Sequence, residues 1–327
     1  MNKSKTVEYG KYGYMFIAPF FIVYAIFQLY PLVYTVWLSF VENYYKGLQQ
    51  IGPRFVGLNN YLSVLIDTNT NYEIVEGAKF LDTMTVMSIK NTLIMWIFNF
   101  IPQILLSLLL AAWFTDTTVK LKGQGAFKVI MFMPNIITAS TIAVLFYSLF
   151  CNSGPFTAVL RSLHIISKNY DFMESKAGTI GLIAFMQFWM WYGNTMIVLI
   201  AGILGINPSL YEAAMVDGAS GKQQFFYITL PLLKPIIQFS LVTSCIGGLQ
   251  MYDIPSLFNV DASFNGMPNF ASETITMWIK FLGFTSKDYG KAAAASMVLF
   301  VVTMIISLLF FALTKEREPK QRHAVVR

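Results

Sequence analysis

Long charge-free apolar runs alternate with shorter polar stretches along most of this chain. The runs cover Tyr14–Phe40, Asn91–Thr115, Val129–Leu160, Ala177–Tyr211, Pro235–Tyr252 and Ala292–Thr314. A helix rises 1.5 Å per residue, so about 20 apolar residues cross a bilayer. Each run can supply them, although the fifth does so only if it starts before Lys234. The pattern predicts an all-α membrane protein with six transmembrane helices. The first run far exceeds the roughly 7–15 apolar residues of a signal peptide and lacks a small-residue cleavage site. It is therefore expected to be a retained span, bent at Pro19 or Pro31. Residues 41–90 are mixed and polar and read as a sizeable exposed loop.

Residues 206–235 interrupt the pattern in another way, reading INPSLYEAAMVDGASGKQQFFYITLPLLKP between the fourth and fifth spans. Proline is favoured at the first helical position, so a short helix is expected over Pro208–Val216. Gly218 supplies a break without steric cost, and a second helical run starts near Lys222. Glu212 is expected in the first turn, where a carboxylate either caps the helix or meets a partner's arginine. Ala213 and Ala214 leave room for close contact, and Pro231 and Pro235 set the angle at which the next helix leaves. The stretch is a compact helical elbow at a membrane surface.

The helices flanking this elbow each carry a polar stripe. Gln187, Trp191 and Asn194 share one face of the fourth span by helical spacing. Ser240, Thr243, Gly247 and Gln250 do the same in the fifth. Such stripes serve either a solute path or hydrogen bonds to neighbouring helices. Trp189 and Tyr192 lie off the first stripe and are expected to pack, while Gly247-Gly248 allows either close helix contact or a local break.

Composition agrees with a bilayer environment. The chain is 56% hydrophobic and 12% charged, half the charged share of a soluble domain. Its net charge of +6 sits in loops and tails, which suits anionic lipid and topology rather than nucleic acid. With the N-terminus inside, Lys120, Lys122, Lys222, Lys315, Arg317, Lys320 and Arg322 fall on the cytoplasmic side. The other side receives the 41–90 loop with Asp253, Asp261 and Glu273, but also Arg161, Lys168, Lys176, Lys280 and Lys287. Both termini and the elbow are then cytoplasmic. Cys151 and Cys245 lie in or beside apolar runs and read as structural. The two histidines, His164 and His323, lie outside the spans, and no metal-type spacing occurs. Residues 218–223 only faintly echo a phosphate-binding loop, with Gln223 where a Ser or Thr would hold Mg²⁺. The chain is thus expected not to hydrolyse ATP and to be no enzyme. Spans almost free of ionisable groups argue against ion coupling and suit a neutral solute.

The elbow closely resembles the cytoplasmic EAA loop of the membrane subunits of ATP-binding-cassette importers. The matching positions are Glu212, Ala213, Ala214, Gly218, Ile228, Leu230 and Pro231, and Asp217 with Ala219 give the DGA form of the carbohydrate branch. The first span, FKVIMFMPNIITASTIAVLFYSLF, GGLQMYDIPSLF and DYGKAAAASMVLF also resemble sugar-type permeases related to the larger permease of the maltose importer. The resemblance implies a cell-membrane, multi-pass importer domain over residues 14–314, between cytoplasmic tails 1–13 and 315–327. It implies a coupling helix seated in an ATP-binding subunit, with ATP and Mg²⁺ held by that partner and no cofactor in this chain. The other implied partners are a second permease subunit, a second ATP-binding subunit, an extracytoplasmic solute-binding protein, membrane lipid and the sugar, probably too large an assembly for one face. Gln187, Trp191, Asn194, Thr243, Gly247 and Gln250 then line half of a path for a di- or oligosaccharide. Other readings are an importer of the same build for a solute such as glycerol-phosphate, a secondary carrier, and a membrane scaffold.

Overall fold

A computed structural model describes residues 10–68, 72–116, 122–258, 268 and 270–314. Lys3, Lys5, Lys120, Asp261, Lys315, Arg317, Lys320, Arg322 and His323 lie outside the described residues, as does the segment 315–327. The first apolar run forms α1 (Gly10–Tyr24), a π-helical turn (Ala25–Leu29) and α2 (Tyr30–Ser39). Pro31 has no N–H to donate and its ring crowds the carbonyl four residues back. The turn before it widens, and Tyr30 N–H closes on the Ala25 carbonyl. Pro19, by contrast, sits inside α1.

Two expectations are corrected next. The chain is not wholly helical, and 41–90 is not simply an exposed loop. Strands β1 (Val41–Lys46) and β2 (Gln49–Phe55) pair antiparallel, with Gly47 at φ +65° in the two-residue turn. Their polar residues pair with each other: Arg54 Nε donates to Glu42 at 2.9 Å, and Gln50 donates to Asn43 at 3.0 Å. That pairing lets polar residues be buried, so polarity alone misled. Buried Asn60, on α3 (Asn59–Leu65), donates to the carbonyls of Ser39 and Val41 and ties the hairpin to the end of α2.

The second run lies in α4 (Met84–Thr115), which begins before Lys90. The third run is broken rather than continuous. It forms α5 (Gln124–Phe132), a 3₁₀ turn (Met133–Ile136) around Pro134, α6 (Ala139–Phe150) and α7 (Pro155–Ser162). The fourth forms α8 (Lys176–Leu204), capped by Ser175. The elbow comprises α9 (Pro208–Val216), α10 (Gly221–Gln224), a second π-helical turn (Phe225–Thr229) and α11 (Leu230–Leu232). There follow α12 (Lys234–Leu249), α13 (Asp253–Phe258), α14 (Ile275–Lys280), a π-helical turn (Phe281–Thr285) and α15 (Tyr289–Thr314). Among the described residues, five helices are long and apolar enough to cross a membrane. The count is six when Gly221–Leu232 and Lys234–Phe258, bent by 61°, form one span.

The chain divides into two compact units. One ends at Thr83 and takes in Ile279–Val298; the other runs from Met84 to Trp278 and resumes at Leu299. The second unit is built on the α4–α8 seam. Gln103 Nε2 donates to Thr195 Oγ1 at 2.7 Å, and Ser107 donates to the Tyr192 carbonyl at 2.7 Å. Beyond these bonds Leu110, Ala111 and Phe114 meet Tyr192, Met196, Leu199, Ile200 and Ile203, with Leu233 fully buried among them. Trp189 packs on Phe146, and the Tyr192 hydroxyl reaches the Met131 sulfur at 3.4 Å. Cys245 is buried, whereas Cys151 is partly exposed.

Outside the spans, Glu273 is buried just ahead of α14, its Oε2 without a hydrogen-bond partner among the described residues. Burial raises its pKa from 4.5 to about 7. The folded protein therefore holds a proton that the unfolded chain loses, and stability falls as pH rises through that window. The melting temperature in detergent should drop between about pH 5 and about pH 8, and Glu273→Gln should remove most of that drop. A second prediction concerns Gly248, where a Cβ would overlap the buried Trp96 indole. Gly248→Ala should cost about 1–3 kcal/mol in thermal unfolding. The same change at Gly247, which has nothing within 4 Å, should cost far less.

Candidate functional site

A cavity of about 560 Å³ opens between α4, α8 and α12. Gln187, Trp191 and Asn194 reach it from α8, and Ser240, Thr243 and Gly247 from α12, with Gln250 just beyond. Both sequence stripes thus line one space. Trp191 is 45% exposed and presents an aromatic face. The Thr243 hydroxyl donates to the Phe239 carbonyl at 2.8 Å, so its lone pairs remain for the cavity. Sequence reasoning missed Asn99 and Gln103 of α4, which line the same space. Their signal was an amide pair four residues apart in an otherwise apolar run. Asn99 Oδ1 is buried without a partner among the described residues. The lining holds no Lys or Arg, and Asp253 is its one carboxylate. Chemically, the cavity offers neutral donors and acceptors and an indole.

The elbow's turn follows from its glycine. Gly218 has φ +78°, and its N–H bonds the Met215 carbonyl at 3.1 Å while Ala219 N–H bonds that of Ala214 at 2.9 Å. This is a Schellman closure, with glycine at the left-handed position. Asn207 caps the start of α9, and Ser220 with Gln223 forms a capping box on α10. Glu212, Ala213 and Asp217 are exposed, and Ala214, Ala219, Ile228 and Leu230 are half-buried. The expected first-turn position of Glu212 is corrected. Four residues precede it in α9, whose first turn contains no acidic residue, so dipole capping is not its role. Exposed Pro231 follows the second π-helical turn as Pro31 follows the first, and for the same reason.

Residues 90–322 match the family described as "Binding-protein-dependent transport system inner membrane component". The chain belongs to that family. It is 27% identical to the lactose transport system permease protein of Rhizobium radiobacter over 95% of this chain and 96% of that one. It is 28% identical to the arabinooligosaccharides transport system permease protein of Bacillus subtilis, covering 92% and 88%. The trehalose/maltose permease of Thermococcus litoralis is 27% identical over 97% and 98%. In fold, a chain of a bacterial importer of the acidic polysaccharide alginate superposes with a TM-score of 0.72 at 22% identity, covering 95% and 97%. As an inner membrane component, this chain is a multi-pass, non-catalytic permease subunit that works with a solute-binding protein, the ATPase being a separate partner. One prediction tests the elbow's closure. Gly218→Ala, forced towards a conformation that L side chains rarely adopt, should lower hydrogen-exchange protection of the Gly218 and Ala219 amides about fivefold.

Proposed function

We propose that this permease forms half of the path of an ATP-driven importer for a neutral sugar of di- or oligosaccharide size. The observation carrying this reading is that the elbow joins the two helices, α8 and α12, whose stripes meet at one cavity. A push on the elbow therefore acts on both walls. The second wall set would come from another permease subunit, and two ATP-binding subunits would hold ATP and Mg²⁺. Both termini and the elbow over 206–235 lie in the cytoplasm, and residues 41–90 outside it, which the lysine and arginine distribution supports. Glu212, Ala213, Ala214, Asp217, Gly218 and Ala219 form the surface offered to the ATPase, with Ile228, Leu230 and Pro231 as its return arm. ATP-driven closure of the ATPases moves the elbow as a rigid body and opens the cavity towards the binding protein.

Sugar as the cargo rests on chemistry and kinship together. Indole faces stack on sugar C–H faces, and amides and hydroxyls meet ring hydroxyls. Relatives named for lactose, arabinooligosaccharides and trehalose/maltose point the same way. A lining without Lys or Arg disfavours a phosphorylated cargo such as glycerol-phosphate. The test is uptake of radiolabelled lactose, trehalose, maltose and arabinotriose by the complex in vesicles. Uptake of at least one should require ATP, ignore ionophores, and fall about tenfold or more in Glu212→Ala at unchanged membrane insertion. Uptake driven by an ion gradient without ATP, or wild-type uptake in Glu212→Ala, would overturn the reading.

A further inference from the structure

The two arms of the elbow are joined by a side-chain bond. Tyr211, immediately before Glu212 on α9, places its hydroxyl 2.8 Å from Thr229 Oγ1, the last residue of the second π-helical turn. The two residues are 18 apart in sequence, and the Gly218 turn lies between them. Thr229 is buried and also donates towards the Gln224 carbonyl at 3.4 Å. That leaves a lone pair on Thr229 to accept the Tyr211 O–H. Gln224 in turn donates from Nε2 to the Ala219 carbonyl at 3.0 Å, just past the turn.

A hinge at Gly218 alone would let α9 swing without moving anything else, since nothing lies within 4 Å of that glycine's missing Cβ. Closing the two arms at a second point removes this freedom. Four residues beyond Thr229, Leu233 is fully buried against the ends of α4 and α8, and the turn is bonded to it through Leu233 N–H on the Thr229 carbonyl at 2.9 Å. Gly202 of α8 makes room there, for a Cβ on it would overlap Leu233 and Ile236.

We propose that Tyr211 and Thr229 are positioning residues for coupling: their bond makes the elbow one rigid piece, so displacement of α9 reaches the cavity walls rather than being absorbed at Gly218. This inference rests on the coupling reading above and adds a force path inside the elbow that the motif residues do not supply.

The test reads transmission directly and needs no identified cargo. In a Cys151→Ser, Cys245→Ser background, Thr243→Cys reports on the cavity through its rate of reaction with methanethiosulfonate ethylammonium. The rate is measured in the assembled complex without nucleotide and with ATP trapped by vanadate. The two states should differ about tenfold with the intact bond. Tyr211→Phe and Thr229→Val should each bring the ratio to within about twofold of unity, and the pair together no further. Thr229→Ser, which keeps the hydroxyl, should restore it. ATPase co-purification and vanadate trapping should stay unchanged in all four, which separates lost transmission from lost assembly. If Glu212→Ala abolishes the difference but Tyr211→Phe preserves it, the brace is wrong and the coupling reading stands. If the intact bond gives no difference, or Glu212→Ala preserves it, both fail together.

Discussion

Backbone N–H and C=O groups left unpaired in hydrocarbon cost several kcal/mol each, and this constraint decides where the chain may bend. Pro31 and Pro231 each remove one donor from a helical ladder, yet neither helix simply breaks. In both cases the preceding turn widens to a π-helix and re-pairs its carbonyl one residue further on, Ala25 with Tyr30 and Phe225 with Leu230. Around Pro134 the repair is made from outside the segment: Asn135 Nδ2 donates to the Met190 carbonyl at 3.2 Å. Bends thus occur where a substitute partner is on hand, and the longest departure from helix, the 61° bend after α11, falls at the elbow.

The same constraint explains why polar side chains cluster on α4 and α8. Apolar side chains gain nothing from leaving lipid tails, so helices are held by packing and by interhelical hydrogen bonds. Gln103, Thr195 and Ser107 supply such bonds along one seam. The seam continues into tight apolar packing around Leu233, next to the elbow. One helix pair thereby holds the elbow's foot and carries the cavity lining, so two features far apart in sequence share a rigid support.

Much of this was legible before any coordinates. The helix over Pro208–Val216 and the break at Gly218 follow from proline and glycine chemistry, and the structure keeps both bounds. The stripes of Gln187 and Ser240 were legible because helical period fixes which residues share a face. The hairpin over Val41–Phe55 was not, because its buried Glu42 and Asn43 are satisfied by partners across the turn, a long-range fact that local polarity conceals. The third span was read as continuous because hydropathy does not register where Pro134 and Pro155 interrupt hydrogen bonding. Asn99 was overlooked because one amide in a long apolar helix has no stripe to announce it; only the fold brings it beside Gln187.

The neutrality of the cavity also sets how firmly cargo is gripped. A neutral hydrogen bond nets about 1 kcal/mol in a protein, whereas a bond to a charged group is roughly twice as strong. A path of amides, hydroxyls and an indole therefore recognises a polyhydroxylated solute without retaining it. Loose hold is an advantage in a conduit, because every kilocalorie of grip would lengthen the stay before release. Tight, selective capture is left to the solute-binding protein, and this chain needs only to be a good place to pass through.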